Sequence, residues 1–261
     1  MVNKRLVFNF QAKRGYIDDP FYKAHLACLS HYADVFDEAV FVISVKDFND
    51  IVLIDSVKHD IVSLFNCRNI TIITEKFDDY YESRVFYDMV YKKLGQLDGL
   101  TFFAHTKGVC DENFKFDEKA GVDFIASLYY LSLSDVDEVS YKLIHDKSMF
   151  YGTFMNTNGG EYMMNKNQYH YLGGFYWLNS TLVNKYIDFK KLGEFKLSDR
   201  YFNESFPGEI LEPFNLNATK NMIYYEGAVT DIYDMIKGCI GPNVDDYLSF
   251  KEKVGLSDTH G

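Results

Sequence analysis

The sequence predicts an α/β fold: a mostly parallel central sheet with helices on both faces. Three observations carry this. Short apolar runs rich in β-branched and aromatic residues alternate with segments of helical period through the N-terminal part of the chain. The run Leu100–Ala104 is apolar, is entered through Asp98-Gly99, and stops at His105-Thr106-Lys107-Gly108, the pattern of a buried strand that ends in polar chemistry. The chain has 261 residues, 47% hydrophobic and 25% charged, enough to bury a sizeable core in one large domain.

Taken in order, Arg5–Phe10 reads as the first strand, and Asn9-Phe10-Gln11 places polar groups at its end, where they could meet a base or ribose. Asp18-Asp19-Pro20 is a helix start, an acidic cap followed by an early proline, and Phe21–Ala33 has helical spacing. Glu38–Val45 is a second strand, and Lys46–Phe65 becomes helical through Ile54, Val57, Ile61 and Leu64. Asn69–Thr74 is a third strand, and Asp79–Leu94 a helix with Val85, Met89, Val90 and Leu94 on one face. After the 100–104 strand, Glu118–Ser132 and Asp135–Ile144 read as helices, the second capped by Ser134 or Asp135. Ser148–Phe154 is a candidate strand, and Asn156–Asn167 is an Asn-, Gly- and Met-rich loop without period. Tyr169–Leu178 is an aromatic strand broken by Gly173-Gly174, and paired glycines in a strand mark a bulge or a close approach. Ser180–Tyr186 is a short helix, Arg200–Leu211 is partly helical, and the tail holds helices over 229–238 and near 244–253. Residues 255–261 are expected to fray.

Net charge is −11, which argues against a general binder of nucleic acid or anionic membrane. The 21 Tyr and 23 Phe suit a carbohydrate-handling surface, though codon bias is the larger part of the explanation. None of the four cysteines lies in a CxxC pair or at metal-ligand spacing from a histidine, and Cys28 and Cys67 read as small core residues. No apolar run suits a signal peptide or a membrane span, so the expectation is a reduced, cytoplasmic protein with no transmembrane segment. The four glycosylation sequons are then chance matches. Neither GxGxxG nor GxxxxGK[ST] occurs, so neither a standard dinucleotide fold nor a P-loop enzyme is supported.

Ligands of open α/β sheets bind outside the carboxyl ends of the strands. His105, Thr106 and Lys107 hold that position after 100–104. Lys107 can neutralise a phosphate as a point charge, and Gly108 lets the backbone approach a ligand. The competing reading is a strand ending in a solvated loop.

The succession HTKG, YGTF, YHYLGGFYWL and RYFNESFPG resembles a group of bacterial and viral glycosyltransferases similar to rhamnan-synthesis and capsular polysaccharide proteins. The resemblance implies the nucleotide-sugar transferase fold called GT-A over residues 1–215; it offers no counterpart for 216–261, which is read from its helical segments as a C-terminal helical extension packed on the same domain. It implies transfer of a sugar from a nucleotide-sugar donor to a hydroxyl of a glycan acceptor in polysaccharide biosynthesis. His105, Thr106 and Lys107 match the family tripeptide, Gly173, Gly174, Phe175 and Trp177 its glycine-aromatic segment, and Arg200 and Glu204 its later pair. Most such enzymes hold a divalent metal on an Asp-x-Asp after this strand. This chain has His-Thr-Lys there, so Mn or Mg is not expected to be essential. Asp135-Val-Asp137 has those letters at a helix start and reads as a cap.

The chemistry requires stabilisation of the leaving diphosphate and, with inversion, a base for the acceptor hydroxyl. Lys107 and Arg84 are candidates for the first role, although Arg84 also suits an ion pair on its own helix. His105 either donates to the diphosphate or bonds backbone. Glu204 is the first candidate base and Glu209 the second, each otherwise a surface glutamate. Asp78 and Asp79 meet the ribose or cap the helix that follows. Trp177 stacks on a sugar or packs in the core. The rivals are a non-catalytic nucleotide- or glycan-binding protein of the same fold, and a sugar-phosphate nucleotidyltransferase, of which Lys13-Arg14-Gly15 is a faint echo.

Overall fold

The computed structural model describes residues 2–65, 69–76, 98–106, 109, 117–146, 148–153, 155–156, 170–171, 174–186, 236–238 and 240–257. β1 (Lys4–Gln11), β2 (Glu38–Val45), β3 (Asn69–Lys76) and β4 (Leu100–His105) pair in parallel. Their near-continuous apolar runs suit strands covered on both faces, and β4 is buried at every position. β3 lies at the sheet edge and stays partly exposed along its length.

β5 (Phe150–Gly152) is shorter than the run 148–154 suggested. The aromatic stretch 169–178 is split into β7 (His170–Tyr171) and β8 (Tyr176–Asn179), with Gly174 between them at φ 65. That left-handed backbone costs glycine nothing and turns the chain out of one strand before the next begins. β6 (Met155–Asn156) pairs with β7 in a separate two-stranded sheet. The main sheet has the order β3-β2-β1-β4-β8-β5, in which β8 alone runs against the others.

Carboxylates start the helices. Asp19 accepts the Phe21 N–H at 2.9 Å and caps α1 (Pro20–His31), whose first residue is a proline with no N–H to satisfy. Asp50 caps α2 (Ile51–Leu64), and Asp117 caps α3 (Glu118–Leu133) through the Ala120 N–H at 2.8 Å. Asp135 caps α4 (Val136–Ile144) through the Glu138 N–H at 2.9 Å, so the Asp-x-Asp letters at 135–137 serve a helix terminus. α5 (Ser180–Tyr186) follows β8 directly, and α6 (Val244–Lys253) comes from the tail.

One face of the sheet presents Leu6, Phe8, Phe10, Phe41, Ile43, Phe102 and Trp177 to α1, α2 and α3. Trp177 lies against Phe36 and Phe102, with ring centroids 5.8 and 5.2 Å away, and its indole N–H donates to the Ser132 carbonyl at 2.9 Å. Each such side chain contributes about 1.5–3 kcal/mol of transfer free energy when fully buried. The opposite face carries Val7, Asn9, Val42, Phe103, His105 and Tyr176, all buried.

Two devices lock the ends of this arrangement. At the amino edge, buried Arg5 pairs with Glu38 and donates to Thr101 Oγ1 at 3.3 Å, tying β1 to β2 and β4. On the helical face, α6 sets Lys251 in a buried ion pair with Asp123 of α3, and Tyr247 donates its hydroxyl to the Asp123 carbonyl at 3.0 Å. Phe250 packs between Tyr32 and Tyr130, at 5.4 and 5.6 Å. Gly99 enters β4 at φ 92, and a Cβ there would lie 2.4 Å from the Asn3 carbonyl oxygen, so the turn into the central strand admits only glycine.

Candidate functional site

The chain builds outward from β1 to β2 and β3, then returns to the other side of β1 for β4. The strand order therefore reverses between β1 and β4. Loops that leave two such strands diverge, and the crevice between them outside the carboxyl ends is where α/β sheets bind ligands.

Polar side chains gather at that point. The register sets Asn9 of β1 beside His105 of β4, and Gln11 beside Ser44 of β2. A period of two puts all four on the same face of the sheet. Asn9, Ser44 and His105 are buried, and Thr106 beyond β4 is buried with them. Core strands of a parallel sheet are normally apolar here, so polar residues at the carboxyl ends of three adjacent strands need another reason.

Their hydrogen bonds tie the carboxyl ends of β1, β2 and β4 to one another. Ser44 Oγ donates to Asn9 Oδ1 at 2.7 Å, which fixes the Asn9 amide. The Thr106 N–H donates to the Asn9 carbonyl at 3.0 Å, and the Gln11 N–H donates to Thr106 Oγ1 at 2.9 Å. The Ala12 N–H donates to the Ser44 carbonyl at 2.8 Å. The Gln11 side-chain Nε2 is buried and makes no hydrogen bond among the described residues. A buried donor left without an acceptor costs about 1–3 kcal/mol, which a bound acceptor would recover.

The antiparallel course of β8 brings its beginning to the same edge. Gly174 and Phe175 therefore lie next to the end of β4, and the Phe175 ring is 5.9 Å from that of His105. Behind Phe175, Tyr129 meets it edge-on at 5.2 Å, and His25 Nδ1 lies 3.0 Å from the Tyr129 hydroxyl. Burial pushes the Tyr129 phenol well above its ordinary range, so this hydroxyl stays protonated beneath the site. After β1, the Lys13 ammonium donates to the Val109 carbonyl at 2.6 Å and pairs with Asp19 at 2.5 Å.

Of the residues singled out from sequence, Asn9, Gln11, His105, Thr106 and Gly174 converge on this edge. Trp177 requires correction as a sugar platform. Its rings are fully buried and its N–H is taken by Ser132, so it has no face to offer a ligand. Asp78, Asp79, Arg84, Lys107, Gly173, Arg200, Glu204 and Glu209 lie outside the described residues. Sequence reasoning missed Ser44, which carried a signal as the one hydroxyl in the apolar run EAVFVISV, placed near its end. It noted Lys13 only as part of the Lys13-Arg14-Gly15 echo of a nucleotidyltransferase loop. Cys28 is a core residue, and burial pushes its thiol far up, away from reactivity. Among the described residues no group of three or more His, Cys, Asp or Glu is placed to hold a metal ion. None of the described helices is long and apolar enough to cross a membrane.

The fold and site thus define an α/β protein with a polar crevice at a topological switch point. No protein-family model matches the chain, and no curated protein matches it in sequence. Among solved structures the chain is similar to mouse xyloside xylosyltransferase 1 in its apo form, with 9% identity, a TM-score of 0.39, and coverage of 100% of this chain and 96% of that one. A likeness of that extent assigns no role to any residue.

Proposed function

We propose that this protein is a glycosyltransferase of GT-A-like fold that moves a sugar from a nucleotide-sugar donor to a hydroxyl of a glycan acceptor, with inversion, in polysaccharide biosynthesis in the cytoplasm. One observation carries the proposal: the polar row of buried Asn9, Ser44, His105 and Thr106 with half-buried Gln11 at the carboxyl ends of three adjacent parallel strands, at the switch point. The printed name of the distant structural neighbour, a xylosyltransferase, agrees with it in reaction class.

In this reading Asn9 and Gln11 meet the base or ribose, with Asp78 and Asp79 on the ribose hydroxyls. Thr106 fixes the turn after β4, and His105, Lys107, Arg84 and Arg200 face the diphosphate. Gly173 and Gly174 give the sugar room. Glu204, with Glu209 second, takes the proton from the acceptor. Lys107 supplies the positive charge that a metal supplies in related enzymes, so donor binding should survive EDTA. A donor-hydrolysis screen across nucleotide sugars tests the whole proposal. Turnover of one donor supports it, and neither binding nor turnover of any donor refutes it.

A binding module is the second reading, and it has its own observation: Asn9, Gln11, Ser44, His105 and Thr106 include no carboxylate, and the one beside them in register is Glu75 at the sheet edge, next to Ser44. Binding of a nucleotide sugar without turnover would favour it. A nucleotidyltransferase would use the basic pair after β1 on phosphate, and Arg14 of that pair is engaged instead with Asp50 at 2.7 Å.

A further inference from the structure

The polar groups at the carboxyl ends of β1, β2 and β4 are largely committed to one another. Ser44 Oγ donates to Asn9 Oδ1 at 2.7 Å, and Thr106 Oγ1 accepts the Gln11 backbone N–H at 2.9 Å. An amide has an acceptor end and a donor end, so an Asn9 whose Oδ1 is engaged by Ser44 has its donor, Nδ2, as the remaining group.

Gln11 differs from its neighbours. Its backbone is fixed on both sides, by Thr106 and by the following N–H, of Ala12, which donates to the Ser44 carbonyl at 2.8 Å. Its side chain has no such fixture. Nε2 is buried without a hydrogen bond among the described residues, while the residue as a whole is half-buried. The terminal torsion of a glutamine is soft, so the amide can turn to a ligand while its stem stays in place. Asn9 and Gln11 stand two residues apart on one strand and share a face, with about 7 Å between their Cα atoms. One flat ligand lying across the end of β1 can meet both amides.

None of Asn9, Gln11, Ser44, His105 and Thr106 is a lysine or arginine, the residues that meet phosphate most strongly. Two amide donors suit a neutral oxygen instead. We propose that Gln11 is a specificity-determining residue: its Nε2 donates to a ring carbonyl of the nucleotide's base, and so selects an oxo base (uracil or guanine) over the amino counterpart (cytosine or adenine). The inference deepens the nucleotide-sugar reading above and rests on it. An amino base would set N–H against N–H and leave the Gln11 donor as unpaired as it is in the free protein. Sites built to hydrogen-bond one group discriminate against ligands that cannot complete the bond. A ribose hydroxyl is the other neutral oxygen of a nucleotide, and bonding to it would give no preference between bases.

The test is calorimetry with UDP against CDP and GDP against ADP, two pairs in which a ring carbonyl is exchanged for an amino group. The wild-type protein should bind one oxo nucleotide about tenfold or more tighter than its amino partner, the effect of one buried donor satisfied or left unpaired. Gln11→Met keeps the length of the side chain and removes the amide. It should weaken the oxo nucleotide about tenfold and leave the amino nucleotide within about twofold. Gln11→Glu, which puts an acceptor where the donor was, should narrow or reverse the preference. Because Nε2 has no partner to lose, Gln11→Met should leave the melting midpoint of the free protein unchanged or raise it by up to about 4 °C.

Equal affinity of the wild-type protein for an oxo nucleotide and its amino partner overturns this proposal alone. So does a Gln11→Met protein that weakens both members of a pair equally; loss of that effect with the 2′-deoxy nucleotide would then assign Gln11 to the ribose. A fall in melting midpoint of more than about 2 °C in Gln11→Met also overturns it, because Gln11 would then be holding the fold. If the wild-type protein binds none of the four nucleotides, the nucleotide-sugar reading itself falls, and the proposal with it.

Discussion

Lys251→Met withdraws the ammonium that α6 delivers to Asp123. Both partners are shielded, with side-chain exposures of 5% and 11%, so water does not screen the charge left behind. Removing one member of a buried pair costs about 3–5 kcal/mol, because the other stays buried and uncompensated. Methionine keeps most of the apolar stem, and the Tyr247 hydrogen bond and Phe250 packing are untouched, so the loss is electrostatic. For a chain of this size that corresponds to a fall in melting midpoint of about 6–20 °C. Urea unfolding gives the free energy directly, and an unchanged m-value would show that the unfolded state is the same. The companion variant Asp123→Leu with Lys251→Met removes both charges and should recover to within about 1 kcal/mol of the parent, or exceed it. A cost below about 1 kcal/mol for Lys251→Met would refute the reasoning, as would a double variant less stable than the single one.

Thr106→Val keeps the shape but leaves the Gln11 N–H without its acceptor, so it should cost about 1–3 kcal/mol in urea unfolding and weaken nucleoside diphosphate binding. Tyr16 donates to Asp60 at 2.5 Å; burial, with this bond second, pushes its phenol up to about 12. The folded state then keeps a proton that the unfolded chain loses near pH 10, so this contribution is whole below pH 10 and disappears as pH rises towards 12, by about 2–3 kcal/mol. Tyr16→Phe should flatten the fall in stability over that window, and parallel curves for the two proteins would exclude it. Glu204→Gln should lower turnover about 10²–10⁴-fold with donor affinity unchanged, while Lys107→Ala should lower both. A Glu204→Gln enzyme with parental turnover would move the test to Glu209.

The parallel half of the sheet was readable because apolar runs and helix caps agreed. Glu38–Val45 is a strand over the whole predicted span, and the acidic residue before the proline at 20 caps α1 as expected. β4 extends one residue further than its apolar run, because His105 still pairs with Asn9. The reversed direction of β8 was not readable. Four residues, two of them aromatic, carry no information about strand polarity, which comes from the turn at Gly174 and from pairing with β4 and β5. Trp177 shows the limit for single residues, since the same ring suits a core and a sugar, and only its neighbours Phe36, Phe102 and Ser132 decide. Asn9, Gln11, His105 and Thr106 were each visible as strand-end residues. That they form one bonded set was not, because it depends on which strands are neighbours.

The placement of β1 also has a kinetic consequence. Its contacts with β2 close early in the sequence, but its other edge pairs with β4, and Arg5 waits for Thr101, 96 residues away. Until β4 arrives, the run Leu6–Phe10 presents an unpaired apolar edge to the solution. Long-range parallel pairing of this kind slows folding and leaves such an edge open to association between chains. Refolding yield should therefore fall steeply with protein concentration, and a chain truncated before Leu100 should aggregate where the full chain does not.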